Sequence, residues 1–212
     1  MPIRIIRTRI LFAATLLLLL TRSAAAQQIP TPALNLDVNS QAAPDSAPDS
    51  PGELFPRGYR SIDFTGQYIA QITDHRRDRL FGGSIGASYY LFDRIAVVAQ
   101  IPFYNVDQNG GASAFAGGLT LLARLNFLEI GRLSLFIEGG AGALLADDLV
   151  PPDGTNFNFT PQAGLGLTWR LTDRIDLIGA THFFHLSNAG INDRNPSING
   201  AIEGYAGLMW RF

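Results

Sequence analysis

Apolar and polar residues alternate with a period of two from Ser61 to Phe212. The clearest run spans residues 157–170, and residues 61–73 repeat its pattern. Because successive side chains of a strand point to opposite faces, this period predicts strands with one apolar and one polar face. Weaker runs bring the predicted strands to eight, at residues 81–92, 95–105, 113–128, 133–146, 174–188 and 200–212.

The lengths of these strands and of their connections indicate a membrane barrel. Most strands approach the ~9–11 residues that a tilted strand needs to cross a bilayer, which is long for a soluble sheet. Outer-membrane barrels alternate short periplasmic turns with longer external loops. The chain follows this layout, with short connections at 92–94, 129–131 and 172–174 and longer polar ones at 74–80, 107–112, 147–156 and 189–199.

We therefore predict an all-β fold, an eight-stranded antiparallel transmembrane β-barrel of the outer membrane, over residues 59–212. The run that closes on Phe212 resembles the recognition signal of outer-membrane barrels. The soluble alternative is an exported β-sandwich or lipocalin-like barrel, with its apolar face inside and its charges outside. In the membrane barrel the polar parity faces the lumen, where charged side chains can pair: Arg124, Glu138, Arg170 and Arg211.

The N-terminal part of the chain carries signals of export. Residues 1–26 contain a basic start, an apolar run and the small residues Ala24–Ala26, the order of a cleaved secretory signal peptide. The apolar run is too short to span a membrane as a helix. Residues 27–58 hold six prolines among polar residues, which predicts a Pro-rich flexible lead-in.

Composition narrows the chemistry that the chain can perform. Cysteine is absent, which excludes disulfides, thiolate metal sites and a cysteine nucleophile. The net charge of −2 gives no reason to expect nucleic acid as a partner. A barrel of eight strands is filled by its own side chains, so we do not expect a general diffusion pore.

One hexapeptide, His185-Leu186-Ser187-Asn188-Ala189-Gly190, carries candidate chemistry. His185 and Ser187 lie two positions apart on a predicted strand and share a face, where they can form a base and nucleophile pair.

The predicted topology places this pair in the membrane. With both ends of the barrel periplasmic, the seventh strand runs outward and ends at the outer rim. Its apolar parity predicts that the pair faces lipid, where an ionisable group is costly and indicates function. The outer leaflet there is lipopolysaccharide, so an ester near the sugar–acyl boundary of lipid A is within reach.

Two other histidines have less specific readings. His182 falls on the opposite parity, which predicts a lumen histidine with its hydrogen bonds satisfied. His75 lies in a predicted loop beside Arg76, Arg77 and Arg79. That basic cluster could contact lipopolysaccharide phosphates, and a solvated loop face explains it equally well.

The hexapeptide, with Asn-Pro-Ser-Ile-Asn at residues 195–199, resembles the lipid A 3-O-deacylase (PagL-type) family of outer-membrane acyloxyacyl hydrolases. The resemblance implies a carboxylic ester hydrolase that removes an ester-linked acyl chain from lipid A. The resemblance also makes Ser187 the nucleophile and His185 the general base. The backbone N–H of Gly190 and a group from Asn188 form the oxyanion hole. No metal or organic cofactor is implied.

The third catalytic position departs from the family, which uses a Glu to orient the histidine. By ungapped count from His185 this position is Asn199, whose amide can orient an imidazole without stabilising its charged form. Asp193 and Glu203 are alternatives, although Glu203 has the parity of the lumen. The rival reading is a non-enzymatic barrel of the structural or adhesin-like kind, or an inactive family member. Whether the chain forms a homodimer stays open.

Overall fold

The computed structural model describes residues 54–72, 77–191 and 196–212. The predicted signal peptide and the lead-in as far as residue 53 lie outside this range. The described chain confirms the predicted fold, since eight antiparallel strands form a closed barrel in which the last strand pairs with the first. The strands are β1 (Arg60–Gln71), β2 (Arg79–Phe92), β3 (Ile95–Asp107), β4 (Ala114–Ile130), β5 (Leu133–Val150), β6 (Thr155–Arg170), β7 (Ile175–Leu186) and β8 (Ile198–Arg211). Within these residues no helix is long and apolar enough to cross a membrane.

The connections divide the barrel into two ends. We call the end with the connections at residues 93–94, 131–132 and 171–174 the turn end, and the opposite end, where β7 finishes, the loop end. The long loop predicted at 147–156 is wrong, because β5 runs on until Val150 pairs with Thr155. A turn of residues 151–154 then suffices, closed by a hydrogen bond of 2.8 Å from the Gly154 N–H to the Pro151 carbonyl.

The outer surface of the barrel is its apolar face. Phe64, Leu165 and Phe183 are 58%, 62% and 74% exposed, whereas alternate residues such as Asp63 and Thr168 are buried inside. A soluble β-sandwich or lipocalin-like barrel would have the opposite arrangement. Apolar side chains over the whole outer wall suit hydrocarbon rather than water.

The lumen is more apolar than the alternation predicted. Its side chains form three tiers along the barrel axis, and the middle tier contains a network of ion pairs. The turn-end tier contains Tyr90, Phe136, Ile178 and Met209. The loop-end tier is a larger apolar cluster that includes Ile69, Leu80, Val106, Leu144, Phe184, Leu186 and Ile198. Since a narrow barrel has no room for bulk water, its interior packs like a protein core.

Ion pairs hold the middle tier together, as the parity of the charged residues predicted. Arg124 is 1% exposed and its Nε donates to Glu138 Oε2 at 2.7 Å. His182 lies between two carboxylates, 3.0 Å from Glu138 Oε1 and 3.0 Å from Glu203 Oε2. Charges buried in this way require partners, so each pair also fixes the register of the strands that carry it.

Ordered packing begins before the predicted barrel boundary. Leu54 and Phe55, which the sequence assigns to the lead-in, are buried in the turn-end tier. The ring of Phe55 stacks on Tyr90 with centroids 5.2 Å apart. The backbone N–H of Leu54 donates to Glu129 Oε2 at 3.0 Å, and its carbonyl accepts from Arg170 Nη2 at 3.2 Å. The burial of these two apolar side chains therefore places them in the barrel core, although the Pro-rich composition around them predicts a flexible segment.

Candidate active site

His185 lies at the loop end of β7, on the outer wall of the barrel. Its neighbours His182 and Phe184 are buried in the lumen, and Phe183 faces outward. The strand alternation therefore turns the half-buried imidazole of His185 outward. The register of β6 and β7 brings Pro161 opposite His185, since Gln162 pairs with Phe184 on one side of this position.

Ser187 continues the same face beyond the last residue of β7. It forms a β-bridge with Phe159, in which the Phe159 N–H donates to the Ser187 carbonyl at 2.7 Å and the Ser187 N–H donates back at 3.1 Å. Side chains of residues paired in this way stand side by side, so the ring of Phe159 flanks Ser187. This explains why Ser187 is only 7% exposed although it lies on the outer face.

Asn188, Ala189 and Gly190 turn the chain away from the barrel. The backbone N–H of Gly190 donates to Asn188 Oδ1 at 2.9 Å, which closes an Asx-type turn. Ala189 and Gly190 have φ angles of +56° and +77°, a left-handed conformation that favours glycine and costs Ala189 about 1 kcal/mol. In this conformation the Gly190 N–H, one of the two expected oxyanion donors, is hydrogen-bonded to the side chain of Asn188, the other.

Asn199 reaches the site through a β-bulge between β7 and β8. Phe184 pairs with Ala201 and Leu186 pairs with Ile198, so His185 faces two residues, Asn199 and Gly200. Gly200 takes a φ of +56°, which glycine adopts without strain. Asn199 is exposed, and its Nδ2 donates to Ser197 Oγ at 2.6 Å. The bulge therefore places Asn199, the expected orienting residue, opposite His185 in the register of β7 and β8.

The two alternative orienting residues differ in their placement. Glu203 is buried in the lumen with its Oε2 3.0 Å from His182 Nδ1, which confirms both the lumen position predicted for Glu203 and the satisfied state predicted for His182. The wall of the barrel separates it from His185. Asp193 lies outside the described residues, as do His75 and Arg76. Arg77 and Arg79 are exposed near the loop end.

A shallow groove of about 420 Å³ runs along the outer wall from His185. Pro161 and Ala163 of β6 form one side, and Phe183 and Gly200 form the other. The alternation of the sequence did not predict this groove. The sequence feature that could have indicated it is in β6, where the outward positions between Phe159 and Leu165 hold the small residues Pro161 and Ala163.

No site for a metal ion stands out in the part of the chain that the structure describes, since no three His, Cys, Asp or Glu side chains there cluster to hold one. What the arrangement offers instead is an imidazole, a hydroxyl and an amide on one surface. These are the residue types of nucleophilic acyl transfer.

Solved outer-membrane proteins share this fold. The outer membrane protein OprG from Pseudomonas aeruginosa is 11% identical with a TM-score of 0.52, over 74% of this chain and 98% of its own. The N-terminal β-barrel domain of Pseudomonas aeruginosa OprF is 16% identical with a TM-score of 0.52, over 74% of this chain and 98% of its own. The outer membrane enzyme PagL is 17% identical with a TM-score of 0.41, over 72% of this chain and 98% of its own. The likeness to OprG and OprF shows the outer-membrane β-barrel fold.

Sequence comparison is more specific. No curated protein sequence matches the chain significantly. The family model described as lipid A 3-O-deacylase (PagL) matches residues 89–206, which is more than half of the chain and includes the hexapeptide and Asn199. The chain therefore belongs to the lipid A 3-O-deacylase family.

Proposed function

We propose that this protein is an outer-membrane serine esterase that removes an ester-linked acyl chain from lipid A. The observation that carries the proposal is the placement of His185, Ser187 and Asn199 on one outward surface at the loop end. Because the chain belongs to this family, we infer that these three side chains act as base, nucleophile and orienting group of acyl transfer.

The orientation of the barrel in the membrane supports this substrate. The first strand begins at Arg60 and the last strand ends at Arg211, and both residues lie at the turn end. In outer-membrane barrels the short turns face the periplasm. The loop end then lies in the outer leaflet, whose lipid is lipopolysaccharide. A nucleophile on the outer wall at this level meets lipid from the side and needs no passage through the lumen.

The reaction has two halves. In the first, His185 Nε2 takes the proton of Ser187 as Oγ attacks the ester carbonyl, and then gives it to the departing sugar hydroxyl as the ester C–O bond breaks. In the second, water gives a proton to His185 and attacks the acyl-serine, and His185 then gives that proton to Ser187 Oγ as the acyl C–O bond breaks and the free fatty acid leaves. The products are that fatty acid and a lipid A with one fewer acyl chain.

The turn after Ser187 supplies the oxyanion hole. The Gly190 N–H leaves Asn188 Oδ1 when a negatively charged oxygen is available, because a charged acceptor forms the stronger hydrogen bond. Rotation of the Asn188 amide then directs its N–H₂ toward the same oxygen. Such donors are often the largest electrostatic contribution to acyl transfer.

The groove beside His185 accommodates the acyl chain. Pro161, Ala163 and Gly200 leave space along the outer wall where other positions carry large apolar side chains. An acyl chain in this groove stays within the hydrocarbon layer while its ester approaches Ser187. Holding the ester in place lowers the entropic part of the barrier.

The rival function is a non-enzymatic barrel or an inactive family member. The amide at Asn199 favours it, because a neutral group stabilises an imidazolium less than a carboxylate does. Both readings predict the same fold, so only the reaction separates them.

The test is mass spectrometry of lipid A from a Gram-negative host that expresses the wild type, Ser187→Ala or His185→Ala. We expect loss of one acyl chain with the wild type alone. Heat-modifiable migration on gels verifies that all three barrels are folded. Intact lipid A with the folded wild type, or equal loss with all three proteins, would contradict the proposal.

A further inference from the structure

A second groove lies on the outer wall next to the groove at His185. Its volume is about 440 Å³, and Ala163 lines both grooves. Its floor is a row of small residues, because Ala163 of β6 pairs with Gly139 of β5, and Gly139 pairs with Ala123 of β4. The two grooves therefore form one continuous depression that leads from His185 across three neighbouring strands, and we call it the extended groove.

Large apolar side chains bound the extended groove. Ile137 and Leu125 line its turn-end side, and both are exposed on the outer wall. Val97 of β3 pairs with Ala123 and ends the row of small residues, since its larger side chain is also exposed. The floor therefore has room for one slender apolar chain, and a larger side chain stands at its far end.

The row of paired residues that forms the floor descends along the barrel. Beyond Val97 the pairing continues through β2 to Arg60, the first residue of β1 at the turn end. In the other direction it passes from Ala163 through β7, β8 and β1 to Arg79 at the loop end. Such a descent follows from the stagger of strands in a closed barrel. The extended groove therefore points from the loop end toward the turn end, the direction of an acyl chain whose ester lies at Ser187.

We propose that the extended groove binds the acyl chain of the ester that Ser187 attacks, and that Ala123 is a specificity-determining residue for the length of this chain. From His185 to Ala123 the groove crosses three strand spacings, about 14 Å, which corresponds to an extended chain of about ten to twelve carbons. Chains of this length reach Ala123, and shorter chains end before it. This inference rests on the proposed function and extends it to the far end of the chain.

The selection depends on packing and not on transfer from water. The chain comes from the hydrocarbon layer, so it gains nothing from the hydrophobic effect when it enters the groove. Each methylene on the floor instead contacts the side chains around it and gains dispersion energy. A Cβ at Gly139 would lie 3.2 Å from that of Ala163, so glycine keeps the middle of the floor open. A chain held in this way also limits the motion of the ester at Ser187.

The first experiment measures kcat/KM for synthetic glucosamine phosphates that carry one ester-linked chain, from octanoyl to tetradecanoyl. Ala123→Leu fills the far end of the floor, so the ratio of the tetradecanoyl to the octanoyl value should fall about five- to tenfold through lost packing contacts. Val97→Ala removes the side chain that ends the row and should raise the same ratio.

The matched control is Ala206→Leu, which makes the same substitution in a separate groove on β8 and should leave the ratio unchanged. Heat-modifiable migration on gels verifies that each variant is folded. An unchanged ratio in Ala123→Leu, or an equal change in both leucine variants, would overturn the inference.

The second experiment does not depend on cleavage. The Ser187→Ala protein is placed in lipid nanodiscs with the tetradecanoyl compound bearing a diazirine at its chain end, and mass spectrometry locates the cross-links after illumination. We expect cross-links on β3 and β4 around Ala123, enriched over those from a phosphatidylethanolamine with the same diazirine. An equal distribution for the two lipids, or enrichment elsewhere on the wall, would overturn the inference. Enrichment around Ala123 together with a wild type that cleaves no ester would support it and count against the proposed function alone.

Discussion

Glu203 Oε2 lies 3.0 Å from His182 Nδ1, inside the barrel and on the opposite side of its wall from His185. The same imidazole contacts Glu138 Oε1 through Nε2, also at 3.0 Å. Glu138 in turn forms an ion pair with Arg124. These four side chains join β4, β5, β7 and β8, so the histidine three positions before His185 serves the stability of the barrel rather than the site.

The two histidines of β7 should therefore give opposite results when each is changed to Ala. Removing His182 leaves two buried carboxylates without their shared partner and should lower the free energy of unfolding by about 3 kcal/mol. His185→Ala should change it by less than about 0.5 kcal/mol, because the side chain lies on the outer wall. Urea unfolding in lipid vesicles measures both, and lipid A cleavage should be lost in His185→Ala. Equal stability of the two variants would contradict the role given to His182.

Asn199→Glu should raise the rate of lipid A deacylation. A carboxylate stabilises the imidazolium that forms during proton transfer, and we expect kcat to increase about tenfold or more. The matched control is Asn199→Ala, which removes the acceptor and should lower kcat. Initial rates on purified lipid A in detergent measure the effect. A fall in activity for Asn199→Glu would mean that another residue orients His185.

Asn188→Asp separates the two tasks of this side chain. A carboxylate can still accept the Gly190 N–H, so the turn should keep its shape. It has no N–H₂ group for the oxyanion and adds a negative charge beside it, which should lower kcat by about 10²–10³-fold. The measurement is the same initial rate, with the unfolding midpoint as control for the fold. Full activity of this variant would exclude Asn188 from the oxyanion hole.

Ala163→Phe tests the groove as the acyl site. The larger ring fills the space beside His185 and should displace the ester from Ser187, with a fall in kcat/KM of about tenfold or more. Leu165→Phe is the matched control, since Leu165 is the next outward residue of β6 and does not line the groove. Both variants keep an apolar outer wall and should insert normally. Equal rates for the two would place the acyl chain elsewhere.

The strands were predictable from the sequence, and their ends were not. The alternation of residues such as Phe64 and Asp63 reports which face each side chain takes, and the structure agrees at these positions. The length of β5 was misjudged because the polar residues Asp147 and Asp148 look like a loop. Backbone pairing of Val150 with Thr155 continues the ladder past them, and pairing across a hairpin is not visible in local composition.

In the candidate site, too, some features follow from the local sequence and others only from the pairing of strands. The hexapeptide and the two-residue spacing of His185 and Ser187 place both on one face of one strand, which is a local property of the chain. Asn199 was located by its spacing from His185, but only the bulge between β7 and β8 puts it opposite that residue. The groove at Ala163 and the bond between Asn188 and Gly190 depend on which strands meet and on how side chains rotate. No periodicity encodes these.

The sequence by itself determined the architecture, the polarity of each strand face and the placement of an imidazole and a hydroxyl two positions apart at the end of β7. Those features follow from local alternation, because a strand's backbone geometry translates residue number directly into direction. Tertiary structure decided that the lumen is packed in three tiers and that Leu54 and Phe55 belong to one of them. It also decided that Glu203 bonds His182 inside the barrel, while Asn199 lies opposite His185 on the outer wall. These outcomes depend on distances between strands far apart in the chain, which are set only when the barrel closes.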